Sequence, residues 1–323
     1  GWITTSWYQG DPNENSFYNK YCPKVDEKRC YAGCVAISMA QVINCHKNIF
    51  NTSFTHDSDF YSFYYDYYDG NRIEITIDNS NETYNYPPFS NLTKKMESIN
   101  EKFQKLENLN DDDIAALIFA CGVSAEMDYN EETSEARHSV ALNALKDRFH
   151  FNHSVLLENT DAVVFMNRIK ENVISGKPVI IGMVGKDQNG NSIGHSAIVD
   201  GFRSNEEYHI NCGWGSDWQE YWWNIPDNLP DAYTEIEEGI FDIIGNETLT
   251  NVNQVKILSD IIFPASGTKY YGYINNVTSQ QLEWSATNNT EWFTSCTPLS
   301  GTLDPGRAFD NIFIERLWRT VKY

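Results

Sequence analysis

The chain of 323 residues is 41% hydrophobic and 14% aromatic, enough apolar side chain for a packed core and far from the composition of a disordered chain. Its formal charge of -21 at neutral pH excludes nucleic acid as the main partner, because phosphate contacts need clustered Lys and Arg. No stretch approaches the roughly 18–20 apolar residues of a spanning helix, so no membrane span is expected.

The sequence opens at Gly1 without a Met or a signal peptide, so either a leader and pro-segment have been removed or it is a fragment. Residues 1–30 read as extended and irregular, with Gly10, Pro12 and Pro23. From Cys34 to His46, Val35, Met39, Val42 and Ile43 recur at helical spacing, and Gly33 lets the chain turn sharply into that helix. Residues 51–95 are Tyr-, Asn- and Asp-rich and predict a long surface excursion with short strands. A second helix is predicted after Asn110-Asp111-Asp112, a capping signature, ending at Gly122. Helices near Ser139–Phe149 and Asp161–Ser175 follow, the last closed by Gly176-Lys177-Pro178. Strands then take over, around Pro178–Gly185, His195–Phe202 and Glu207–Gly215. Helices first and an antiparallel sheet afterwards predict an α+β domain over residues 1–246. Residues 250–306 carry alternating Thr/Ser/Asn-rich strands and read as a small β-sandwich-like module.

The seven Cys are an odd number with no C-x-x-C pair. A metal site from Cys22, Cys30, Cys34, Cys45 and His46 lacks the usual short paired spacings, so no metal and no cofactor are expected. Cys22 and Cys30 bracket a polar loop and would form a disulfide if the protein is exported. Cys121 ends an apolar run and reads as a small buried hydrophobe.

A thiol becomes a useful nucleophile when ionised, and a helix N-terminus or a nearby imidazolium favours ionisation. Cys34 opens its helix, although position alone leaves a buried structural cysteine equally open. Among the seven His, His195 follows Gly194 at the mouth of an apolar strand, where an imidazole is held rigidly enough for a general base. Asn211 follows at an even separation, which allows both side chains on one sheet face if the hairpin loop holds an odd number of residues. Asp200, the rival orienting group, would point to the other face roughly 16 Å away.

Tyr31-Ala32-Gly33-Cys34-Val35-Ala36, followed by Met39-Ala40-Gln41 and His46, resembles the nucleophile helix of streptopain-like cysteine peptidases, in the papain group. Trp7-Tyr8-Gln9-Gly10, Tyr18-Asn19 and Cys22-Pro23 look like that family's N-terminal segment. Gly194-His195 through Asp200-Gly201 is similar to its histidine strand. Tyr208-His209-Ile210-Asn211 with Gly213-Trp214-Gly215 is similar to its asparagine strand, and Gly122 to Tyr129 falls in order between. The resemblance implies a papain-like fold and a secreted or cell-surface bacterial endopeptidase that cuts proteins or peptides, with an inhibitory pro-segment as a further partner. It implies Cys34 as nucleophile, His195 as base, Asn211 as the orienting group and Gln9 as an oxyanion donor. Trp214 and Gly194 would line the site. The family has Trp directly after the asparagine, where this chain has Cys212, which keeps open a weakened or inactive surface adhesin on the same scaffold.

Further on, Leu282-Glu283-Trp284-Ser285-Ala286, Glu291-Trp292-Phe293 and Ser300-Gly301-Thr302-Leu303 resemble immunoglobulin-like modules of gut Bacteroidales surface enzymes, cut short after Gly306. Residues 307–323 resemble the region around the catalytic glutamate, here Glu315, of insertion-element transposases. That implies a foreign tail without a domain of its own; an ordinary amphipathic helix is the alternative.

Overall fold

A computed structural model describes residues 1–14, 16–78, 82–203, 206–216 and 221–245, and strand segments beyond. A short hairpin, β1 (Lys24–Val25) and β2 (Lys28–Arg29), precedes helix α1 (Cys34–His46). Residues 35–43 of α1 are all buried, so this helix runs through the core rather than along its surface, with Ser38 and Gln41 its buried polar members. The one-turn α2 (His56–Asp59) leads into a two-stranded sheet of β3 (Tyr61–Asp66) and β4 (Arg72–Ile77).

Helix α3 (Phe89–Gln104) stands partly where a surface excursion is predicted. It buries Phe89, Leu92, Met96, Ile99 and Phe103, a strict three-four spacing along one stripe. Helix α4 (Asp111–Ser124) begins with a full capping box, in which Asn110 and Asp113 satisfy each other's backbone N–H groups. It runs through Gly122, because the Tyr129 side chain packs where a Cβ at 122 would stand. Helix α5 (His138–Asp147) starts one residue ahead of its predicted span, and after strand β5 (Val155–Glu158), α6 (Ala162–Ile174) lies within its own, capped by Asp161.

Strands β6 (Val179–Lys186), β7 (Ser192–Arg203), β8 (Glu207–Asn211), β9 (Trp222–Trp223) and β10 (Tyr233–Phe241) join β5 in a six-stranded antiparallel sheet ordered β5-β10-β6-β7-β8-β9. Alternation along its strands gives the sheet two buried faces. Ile180, Ile198 and Ile240 join the core around α1 and α4, whereas Ile181, Ala197 and Val199 pack with Phe165, Ile169 and Val173 of α6. The architecture is α+β, as the sequence predicts.

Beyond residue 250, β11 (Val255–Ile257), β12 (Lys269–Asn276), β13 (Leu282–Ser285), β14 (Phe293–Thr297), β15 (Ser300–Leu303) and β16 (Ala308–Arg316) form two small sheets. β16 pairs with both β12 and β14, opposing Phe313 to Tyr271 and to Thr297. That pairing runs across the predicted boundary between 250–306 and 307–323, and β16 is an inner strand rather than a helix. Residues 317–323 of the predicted tail lie outside the described residues.

Candidate active site

Gly33 caps α1 with φ 86°, and a Cβ there would stand 2.6 Å from the Met127 side chain. Only glycine fits both constraints, and it delivers the next residue, Cys34, to the first position of the helix. The N–H of Cys34 is therefore one of those without an intrahelical acceptor, and the positive end of the helix dipole lies at the sulfur. Burial pushes the Cys34 thiol up, the backbone N–H groups of Ser196, Val35 and Cys34 favour the thiolate, and nearby Glu135 adds to the rise. The net direction is upward, so the resting group is a thiol. Ser196 follows His195 directly, which puts the sulfur against the strand that carries the imidazole.

His195 is buried. Its Nε2 lies 2.7 Å from the Cys212 main-chain oxygen, which can only accept, so Nε2 carries the proton and Nδ1 holds the lone pair. The ring is sandwiched between Trp214 (centroids 5.0 Å apart) and Tyr233 (5.6 Å, interplanar angle 26°). Burial lowers its pKa to about 4, partly opposed by the Cys212 carbonyl and Asp231 and reinforced by His138. Among the described residues no hydrogen bond joins the thiol to this imidazole. Tyr233 stacks on His195, and its hydroxyl is pushed up to about 12, first by burial and then by nearby Cys34, were that ionised. Gly194 lies exposed near the start of β7, where a Cβ would meet only the Met183 main-chain oxygen, at 3.9 Å.

Asn211 does not touch His195. The hairpin loop has the odd length that an even separation requires, since Arg203 pairs with Glu207, but β7 bulges at Asp200. Val199 opposes Ile210 and Gly201 opposes His209, so one residue is left over and Asn211 falls opposite Ile198, on the face away from His195. Its amide instead pairs reciprocally with Gln41 (3.2 and 3.1 Å), donates to the Thr5 carbonyl (2.8 Å) and accepts from Gly213 N–H (3.1 Å). The orienting hydrogen bond that the resemblance implies for Asn211 is made by the Cys212 carbonyl. Asp200 turns the other way, as expected, accepting from Ile3 N–H (2.6 Å) and bonding His209.

The segment bearing Gln9 crosses between the two halves of the site. Its carbonyl accepts from Ala32 N–H (2.9 Å), two residues before Cys34, and Tyr8 bridges Trp214. Cys22 and Cys30 are both buried free thiols. Among the described residues no group of three or more His, Cys, Asp or Glu could hold a metal ion, and no helix is long and apolar enough to cross a membrane.

Three contributors escape the sequence reading. Ser38 and Gln41 follow Cys34 at the fourth and seventh positions, one helix face, and that periodicity could have marked them. Tyr233 opens a strand in a stretch without any motif, and nothing in its neighbours signals that it meets His195.

Comparison with known proteins gives the family and the fold. A family model described as the Peptidase C10 family matches residues 12–222. Streptopain of Streptococcus pyogenes serotype M28 (strain MGAS6180) is 26% identical over 213 residues, 63% of this chain and 46% of its own length. Streptopain of a serotype M3 strain, MGAS315, matches to the same extent. The chain thus spans just under half the length of these relatives. Among solved structures, active wild-type interpain A, a cysteine protease of Prevotella intermedia, superposes with a TM-score of 0.52 at 25% identity, covering 75% of this chain and 94% of that one. A prointerpain A fragment of the same organism gives 0.50 at 25% identity, covering 76% and 71%. The fold is that of a papain-like cysteine protease.

Proposed function

The chain belongs to the Peptidase C10 family, and on that footing we propose that it is a cysteine endopeptidase acting on proteins or peptides through Cys34 and His195. The observation that carries the reading is the tautomer of His195: with Nε2–H donated to the Cys212 carbonyl, Nδ1 is left as a base on the strand whose next residue bears on the Cys34 sulfur. As the substrate binds, Nδ1 takes the thiol proton and Sγ attacks the peptide carbonyl carbon, forming a C–S bond and an oxyanion. The hydrogen bond between thiol and imidazole forms at that step, as such contacts commonly close up only in the Michaelis complex. The Cys34 N–H and the Gln9 amide donate to the oxyanion; one such donor is worth about 10²–10³ in rate. Collapse breaks the C–N bond, the leaving amine takes the proton from His195, and a water deprotonated by the same imidazole hydrolyses the thioester.

Trp214 and Tyr233 keep water from the imidazole and hold its plane. Gly194 leaves room for substrate backbone beside it. Asn211 with Gln41 secures the N-terminal segment that presents Gln9. We extend the proposal to action outside the bacterial cell, and to a pro-segment as a partner, a form the prointerpain fragment exemplifies. Cys34→Ala and His195→Ala should each abolish casein hydrolysis, and combining them should cost little more than either alone. Wild-type turnover in His195→Ala would overturn the reading.

A further inference from the structure

Beside the proposed site, four elements meet in a single chain of hydrogen bonds that the mechanism above does not use. His138 opens α5; its Nδ1 lies 2.9 Å from Glu238 Oε1 of β10, and its Nε2 lies 2.9 Å from Ser196 Oγ of β7. Ser196 Oγ reaches Ser38 Oγ of α1 at 3.3 Å, and Ser38 Oγ–H donates to the Ser196 carbonyl at 3.2 Å. His138, Ser196 and Ser38 are buried. Two members of this chain adjoin the reacting groups: Ser196 follows His195, and Ser38 stands one helical turn beyond Cys34.

The protons can be placed in two ways, of which only the second also fills the contact between the two hydroxyls. A carboxylate only accepts, so Nδ1 donates to Glu238 in both. With neutral His138, Ser196 Oγ–H donates to Nε2. With an imidazolium, Nε2–H donates to Ser196 Oγ, whose own proton turns to Ser38. Glu238 is held below the usual carboxylate range, first by its hydrogen bond from His138. Room for the pair comes from Gly182 of β6, where a Cβ would stand 3.0 Å from His138 Cε1 and 3.2 Å from Glu238 Cγ. The order carboxylate, imidazole, hydroxyl is that of a hydrolytic triad, but Ser196 is only 3% exposed and no substrate carbonyl reaches it. The chain therefore acts on structure and charge rather than on a bond of its own.

Resting on the peptidase reading, we propose that His138, anchored by Glu238, is a positioning residue that fastens β7 at Ser196 to α1 at Ser38 and so fixes His195 relative to Cys34. Displacements of about 1 Å between reacting groups can cost on the order of 10²-fold in rate, so the fastening carries catalytic weight without touching substrate. It also bears on His195 electrostatically. The titratable groups acting on His195 are His138 and Asp231, and His138 holds its pKa down. Facing His138 are Glu238 from β10, His195 and Ser196 from β7, and Ser38 from α1, while β6 offers only Gly182.

The test is His138→Ala and His138→Gln in the full chain, with kcat and KM against pH, the rate of Cys34 alkylation by iodoacetamide, and thermal melts. In His138→Ala, kcat and the alkylation rate should fall together by about 10- to 100-fold with KM little changed. The acid limb of kcat/KM should move up, because the neighbour that holds the His195 pKa down is gone. In His138→Gln, an amide that can still link Glu238 to Ser196 should recover most of kcat while the acid limb stays shifted. A folded His138→Ala with wild-type kcat and alkylation rate overturns the proposal. If His138→Ala does not fold, Ser38→Ala, which removes the α1 end of the fastening, decides, and a wild-type kcat and alkylation rate there overturn it. Activity surviving in Cys34→Ala would instead sink the peptidase reading beneath it.

Discussion

Burial holds His195 neutral down to about pH 4, well below the 6.5 of a free imidazole side chain. The free base is then available across the whole range above that, so the acid limb of kcat/KM should fall near pH 4. The same shift acts on stability. The unfolded chain protonates this imidazole near pH 6.5 and the folded one near 4, so stability is undiminished above 6.5 and is lost as pH falls towards 4, by ~3 kcal/mol from this group. Urea titrations at pH 7 and pH 4 measure it against His195→Gln, which lacks the slope. Residue 212 acts on His195 through its main chain, so Cys212→Ala should keep kcat within a few-fold of wild type. Cys212→Trp, the family's residue, should lower the melting temperature, because the thiol is buried in the core against α6 and an indole overpacks it by about 1–3 kcal/mol. Asn211→Ala should cost about 1–3 kcal/mol by leaving the buried Gln41 amide without its partner, with the acid limb unmoved.

At the level of elements, the turn into α1 decides whether the thiol is delivered at all. Gly33→Ala would place a side chain at positive φ and against Met127, so a lower melting temperature and a large loss of Cys34 alkylation are expected together. Much of this scale is legible in the sequence, because helix starts, caps and apolar periodicity are local signals: α1, the capped α4, α6 behind Asp161, and the three strands from Val179 to Asn211 stand where patterning predicts them. α3 is missed because its stripe of Phe89, Leu92, Met96, Ile99 and Phe103 is diluted by polar residues and follows a Tyr- and Asn-rich stretch. The position of Asn211 is illegible for a different reason. One bulged residue, Asp200, changes the parity of the hairpin, and its cause is tertiary: the carboxylate is claimed by Ile3 N–H and His209. The stacking of Tyr233 on His195 likewise depends on β10 returning beside β6, a contact between segments that no local pattern announces.

Across the whole molecule, every group in the proposed mechanism lies before residue 246, and the strands beyond it pair among themselves. A chain shortened to residues 1–246 should therefore keep kcat/KM near that of the full chain. Removing 308–323 alone takes away β16, the strand between β12 and β14, so calorimetry should lose or lower the transition of that sheet while hydrolysis of casein persists. Loss of activity in either shortened chain would mean that the C-terminal strands support the catalytic part. The central claim is that one thiol, activated by one imidazole, does the chemistry. Its most direct test is mass-spectrometric mapping of iodoacetamide adducts over time at pH 6, in wild type and in His195→Ala. The account predicts that Cys34 is modified first and that its rate falls sharply in His195→Ala, with the other cysteines unchanged. Modification of Cys45 or Cys212 ahead of Cys34, or a Cys34 rate indifferent to the loss of His195, would contradict it.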